Sequence, residues 1–434
     1  MSWVGYAHGR TKGVRPNRFA IAGICALIVG AMPAFADDPD TGSNAEVLTR
    51  ARPEYDARGI RVGSFFLYPS LAGGFGYNDN VFNDASNTTD YFYSFAPQAR
   101  LQSSWSRHEL SLTVGSKSYW FSNQASENRT DISFEGSARL DIARGSEVKA
   151  NAHYFDLHEP RGTDVTGGLQ SGDPSEPTPY TRTGFGAEYD QALGSVRLTL
   201  GASLDEYDYS DVLPVGGGSP INNDDRDRKV TEVFAKAAVE VSEDTAVFLR
   251  GRIDEHDFVA TTDDYGLNRD SSGLGIDGGL EFEMTHVLVG EIFAGYSTRS
   301  YDDAAFAETG NLAIGAGLKW FPSMLTTITI DGARSIEDTS IANASGYIST
   351  RGELGIDHEL LRNVILSGRL GYENAEYREV TRNDDTLHGS IGGRFLINNN
   401  LHFDAGWEFT NRDSSDLNFE YSAGQFQLSL TGKM

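Results

Sequence analysis

From Leu401 to Phe409 every second residue is apolar. Leu401, Phe403, Ala405, Trp407 and Phe409 alternate with His402, Asp404, Gly406 and Glu408. A period of two puts the apolar set on one face of a strand and the polar set on the other. The pattern recurs along the chain. Val196, Leu198, Leu200, Ala202 and Leu204 interleave with Arg197, Thr199, Gly201, Ser203 and Asp205, and Val247, Leu249, Gly251 and Ile253 with Phe248, Arg250, Arg252 and Asp254. No long 3.6-residue periodicity competes beyond the first 36 residues. The pattern predicts about 18 strands, at 65–78, 90–104, 107–122, 129–143, 146–159, 179–192, 195–209, 228–242, 244–259, 270–284, 286–301, 307–321, 323–337, 346–360, 362–379, 383–397, 400–414 and 419–433.

The connections are sorted. Tight ones fall near Trp105-Ser106, Arg144-Gly145, Leu193-Gly194, Glu243-Asp244, Thr285, Pro322-Ser323, Leu361-Arg362 and Asn398 to Asn400. Longer polar ones alternate with them, the longest at 160–178 and 210–227. Short turns on one side and long loops on the other are the habit of outer-membrane barrels, with the short side periplasmic. An even strand count returns both termini to that side. The strands also exceed the 9–11 residues or so that a tilted membrane strand needs, whereas globular strands peak near five or six. Aromatic residues gather near both strand ends, Tyr77, Trp120, Phe121, Tyr154, Tyr207, Tyr209, Tyr296, Tyr301, Tyr372 and Tyr377 toward the long loops, and Trp105, Trp320, Phe321 and Phe403 toward the short turns. Two such bands match interfacial girdles.

Energy decides which face meets which medium. An Arg or Lys facing lipid at mid-membrane costs roughly 2–4 kcal/mol. Arg250 and Arg252 in one strand would already threaten a net stability of about 5–15 kcal/mol. The apolar faces therefore turn to lipid and the charged faces inward. Closure also satisfies every strand edge, as hydrocarbon demands. The expected fold is all-β: a single antiparallel up-and-down transmembrane β-barrel. At about 4.8 Å per strand and a tilt near 40°, its backbone diameter is roughly 36 Å, too wide for side chains to fill. Arg100, Arg139, Arg197, Arg250, Arg252, Asp254, Glu281, Glu283, Arg351, Glu353, Arg369, Glu373, Arg394, Asp404 and Glu408 are the candidate lumen-lining residues. They would set charge selectivity or brace the wall as ion pairs.

The ends refine the picture. Arg10, Lys12, Arg15 and Arg18 precede an apolar run from Phe19 to Met32, and Ala34-Phe35-Ala36 supplies a small-residue cleavage site. Residues 1–36 read as a secretory signal peptide, 37–64 as a periplasmic N-terminal arm and 65–434 as the barrel. The only cysteine, Cys25, lies in the signal, so disulfides and thiolate metal sites are not expected. The net charge of −26 becomes −30 when the four signal cations leave, which argues against nucleic acid.

Chemical motifs are few. Gly273, Gly275 and Gly278 spell G-x-G-x-x-G, but inside an alternating strand rather than before a helix, so no dinucleotide site follows. The chain shows no G-x-S-x-G, H-E-x-x-H or P-loop, and no catalytic residues, cofactor or metal site are assigned. The acidic run Asn222 to Asp225 is read as solvated, with divalent-cation bridging to lipopolysaccharide as the alternative.

The segment RPEYDARGIRVGSFFLYPSLAGGFGYNDNVF (52–82), followed by SWSRHELSL (104–112), resembles the start of the outer-membrane family called putative β-barrel porin 2. The resemblance rests on Arg52 to Asp56, Gly59, Gly63, Phe65, Pro69, Asn78, Asn80, Trp105 and His108. It implies a place in the outer membrane of a Gram-negative bacterium and a role in passing secreted exopolysaccharide. The expected function is thus a channel for polar solutes or exopolysaccharide. The alternatives are a barrel-embedded lipid- or polysaccharide-modifying enzyme and a non-conducting structural or adhesive barrel. Expected partners are outer-membrane lipid and lipopolysaccharide, the barrel-insertion machinery, the polysaccharide, and a periplasmic export complex docking at residues 37–64.

Overall fold

The computed structural model describes residues 46–162, 174–284, 287–339 and 341–434. Residues 1–36, expected to be a signal segment, and 37–45 lie outside them. Nineteen strands form one sheet. A three-residue strand, β1 (Ile60–Val62), precedes β2 (Phe65–Asn78), β3 (Asp90–Ser103), β4 (Glu109–Phe121), β5 (Arg129–Ala143), β6 (Ser146–Glu159), β7 (Thr178–Leu193), β8 (Val196–Tyr209), β9 (Arg228–Ser242) and β10 (Thr245–Phe258). There follow β11 (Ser271–Met284), β12 (Leu288–Tyr301), β13 (Thr309–Ser323), β14 (Thr326–Glu337), β15 (Tyr347–Leu361), β16 (Val364–Tyr377), β17 (Asn383–Asn398), β18 (Leu401–Ser414) and β19 (Tyr421–Lys433). From β2 onward each strand pairs antiparallel with its sequence neighbour, and β19 returns to β2 through Gln425–Asn78 to Lys433–Ser70. The result is a closed antiparallel barrel of 18 long strands.

Alternation places the two faces. On β8, Val196, Leu198, Leu200 and Leu204 are outward, and charge returns on that face only at Glu206 and Asp208. At about 3.3 Å per residue and a tilt near 40°, this apolar stretch spans roughly 20 Å of height, close to a hydrocarbon layer. Leu249 and Ile253 on β10, and Leu274 and Ile276 on β11, continue the exposed apolar belt. Two short turns are closed by glycine in the left-handed region, Gly145 at φ 76° and Gly194 at φ 67°, where a side chain would be strained.

The aromatic girdle is thinner than the sequence suggested. Trp120, Tyr154, Tyr296, Tyr372 and Trp320 are exposed on the outer wall. Tyr207, Tyr209, Tyr377 and Phe321 are buried instead, on the inner-face parity of their strands. Clustering near strand ends does not fix parity, and a one-residue step reverses the face. Tyr91, Tyr93 and Phe95 join the outer wall, while Phe92 between them points in and is fully buried. Gly76 makes room for it, because a Cβ there would lie 2.1 Å from the Phe92 ring.

Candidate channel interior

Arg197 on β8 bonds Glu281 on β11, and Lys236 on β9 lies 2.5 Å from Glu291 on β12. Each contact reaches across three strands. Side chains diverge on the convex face of a ring and converge on the concave one, so these groups project inward. Lys236 also pairs with Glu281, and Arg250 on β10 bonds Asp277 at 2.8 Å and Glu291 at 3.3 Å. The ammonium of Lys236 sits 4.0 Å from the centre of the Phe248 ring, and Arg250 lies over Phe248 and Phe293. Gly279 permits this packing: a Cβ would meet the Ile292 carbonyl at 2.1 Å and the Phe248 ring at 2.7 Å. The network is a buried, mutually neutralised patch, the arrangement that offsets desolvation of charge.

All fifteen candidate residues share this inner-face parity. Arg369 bonds Asp357 at 2.7 Å, Arg394 bonds Asp404 at 2.6 Å, and Arg351 meets Glu337 at 3.7 Å. Arg139 lies between Glu109 and Asp141, at 3.7 and 3.5 Å. Asp254 bonds Arg299, Glu353 lies 3.5 Å from His388, and Glu373 accepts from Ser349 at 2.6 Å. Glu408 accepts from Gln425 at 2.8 Å. Arg100 lies over the Tyr68 ring at 5.0 Å, with no carboxylate in ion-pair range among the described residues. Arg252 covers Gly275, and Glu283 extends the Glu281 row toward the short turns. Most candidates therefore belong to separate ion pairs around the wall rather than to one catalytic cluster. Lys236, Glu291, Asp357 and Arg299 are inner-wall partners that the sequence reading passed over. Lys236 was accessible in principle, since Ala235, Ala237 and Val239 alternate with it. His153, His256, His388 and His402 each contact a carboxylate rather than a serine hydroxyl.

Both mouths carry segments folded against the wall. At the long-loop end, Asp338, just beyond β14, lies 2.7 Å from His256 Nδ1 and 3.2 Å from Arg228 Nε, four and five strands away. Burial alone would raise its pKa, but His256, Arg228 and Arg299 outweigh that and hold it well below the usual carboxylate range. Arg269 clamps the same loop, donating to the Ile341 and Ala344 carbonyls at 3.0 and 2.9 Å. Across the opening, Arg412 on β18 donates to the Gly162 carbonyl at 3.4 Å, and Asn83 donates to that of Arg161 at 3.0 Å. Thus the start of the 160–178 loop, after β6, crosses to the loop following β2; residues 163–173 lie outside the described chain. The 210–227 loop is tied to the rim by Arg226, which bonds Glu159 at 2.8 Å over the Tyr209 ring. Asp225 there is pushed up to about 6 by burial and by Asp264 on the 259–270 loop. At the short-turn end, residues 46–56 lie inside the rim against β13 to β17.

The fold and its inward charges define an outer-membrane-type β-barrel with a polar interior. The family model described as Putative beta-barrel porin 2 matches residues 52–434, and the chain belongs to that family. Among solved structures, OccK2 (OpdF) of Pseudomonas aeruginosa is 11% identical, with 85% of this chain and 98% of that one covered and a TM-score of 0.43. A BenF-like porin from Pseudomonas fluorescens Pf-5 is 12% identical, with 86% and 100% covered and a TM-score of 0.42. The siderophore receptor PirA from Acinetobacter baumannii is 8% identical, with 85% and 80% covered and a TM-score of 0.44. Likeness at this level says nothing of what this barrel carries. No curated protein matches the sequence.

Proposed function

We propose that this protein is a channel in the outer membrane of a Gram-negative bacterium, reached after cleavage of the N-terminal signal, with its short turns in the periplasm. The observation that carries this reading is the closed ring itself: an apolar belt outside and ionised side chains inside. An 18-strand ring is too wide for its inward side chains to fill, and barrels of this size leave an aqueous path. Small polar solutes are the cargo the geometry favours, because segments lie inside both mouths. Export of a polysaccharide, which the family resemblance implied, gains no support from these narrowed ends. Catalysis gains none from His153, His256, His388 and His402, which contact carboxylates. The chain carries 62 acidic and 36 basic residues among 434, and the lipid-facing belt holds almost none of them, so the path and its approaches are negative and favour cations. Reconstitution of the purified barrel into planar bilayers tests the reading. Discrete current steps are expected, with a reversal potential shifted toward the cation and less so at high salt. Absence of any current from correctly folded barrels would remove the channel.

A further inference from the structure

Inner-face residues near the rim of a wide barrel should meet water, yet several at the short-turn end do not. Thr327 on β14, Glu359 on β15, Ile365 on β16 and Leu396 on β17 are all buried. The N-terminal arm covers them. Val47 is fully buried against Ile365 and Leu396, with Tyr55 beside it, and its amide donates to the Thr327 hydroxyl at 3.0 Å. Glu46 pairs with Lys319 on β13. The Arg52 guanidinium, 3% exposed, bonds Glu359, 4% exposed, at 2.8 Å and also donates to the Val47 carbonyl at 2.6 Å. Backbone bonds from Arg50 to Glu46 and from Tyr55 and Asp56 to Arg52 fold the segment into two successive turns.

The far end is anchored too. β1 is laddered to the start of β2, Ile60 opposite Leu67 and Val62 opposite Phe65. Gly59, at φ 69°, lies so close to Tyr68 on β2 that a Cβ would sit 2.6 Å from the ring. The arm thus follows the inner rim from β13 to β2, held at both ends. From β13 through β19 to β2 is seven steps round an 18-strand ring, well over a third of the circumference.

We propose that residues 46–59 form a fixed strap that sets the size limit of the path at the short-turn mouth, with Arg52 as its positioning residue. This rests on the channel reading above. The strap occupies lumen along the β13–β19 arc and leaves passage along the opposite one. Arg52 acts through Glu359, to which it makes the shortest of three cationic contacts, 2.8 Å against 3.5 Å for Arg50 and 4.0 Å for Arg362, and through the Val47 carbonyl; it does not itself contact solute.

Single-channel conductance and liposome swelling with neutral sugars of graded size test this in the full mature barrel. Arg52→Ala and Glu359→Gln should each raise conductance about two-fold and admit sugars the wild type excludes, as expected of a widened constriction. Glu54→Gln, whose partner Arg362 is exposed, should change neither. Because the only native cysteine, Cys25, lies in the signal, Val47→Cys with Thr327→Cys can lock the strap in the Arg52→Ala background. The oxidised form should return to the wild-type limit and reduction should release it, within one folded sample. Wild-type conductance and size limit in folded Arg52→Ala and Glu359→Gln barrels would overturn the strap. Silence of the wild-type barrel would overturn the channel reading on which it rests.

Discussion

Lys236 shows how a single residue binds the wall together. Its ammonium lies between Glu281 and Glu291 and over Phe248, so removing it takes away the one cation they share and leaves Glu281 to Arg197 alone and Glu291 to Arg250 alone. Lys236→Ala is expected to lower unfolding stability in urea by on the order of 3 kcal/mol, whereas Lys229→Ala, an exposed outer-wall cation near the rim, should stay within about 0.5 kcal/mol. Gly279→Ala is expected to cost about 1–3 kcal/mol in the same assay, because the Ile292 carbonyl in its way is backbone and cannot yield. The sign of each residue's orientation was legible wherever apolar and charged positions alternated strictly, as at Arg250 and Arg252. It was not legible where both faces are aromatic: Tyr91, Phe92 and Tyr93 offer no contrast, and only the space over Gly76 shows that Phe92 turns in.

At the scale of the element, strand positions followed from period two to within a few residues, since lipid and water reward opposite faces at every step. β1 escaped notice because three residues carry no period. The arm was expected at 37–64, but its packing inside the rim was not legible, for a different reason. Arg52 to Asp56 stood out as a motif, but nothing local says that Arg52 seeks Glu359, which lies 307 positions away. The long loops were visible as polar length; which side chains clamp them over the mouth was not. There the titration of carboxylates gives a testable sign. Asp225 and Asp227 are both raised to about 6, mainly by burial. An acid with a raised folded pKa binds its proton more tightly when folded, so the loop's stability is greatest below the ordinary aspartate range and declines as pH rises through about 6. Amide exchange in the described 210–227 and 259–270 loops should therefore be slower at pH 5 than at pH 7 after correction for intrinsic rates. Asp225→Asn should flatten that difference.

For the whole molecule, the sidedness of the wall is the decisive property. Leu200→Arg, outward and mid-belt, should destabilise the barrel in phosphatidylcholine bilayers by about 2–4 kcal/mol. Ser203→Arg, on the inner face of the same strand, should cost far less. Equal losses would contradict an apolar exterior. The seam between β19 and β2 joins segments far apart in the chain, and it is a short one, since it stops at Gln425 opposite Asn78 while β2 and β3 pair over their full lengths. Until β19 is in place, both margins of the sheet stay unsatisfied and no ring exists. The protein therefore cannot mature progressively as it emerges. A chain lacking β19 would be left with an open, adhesive edge.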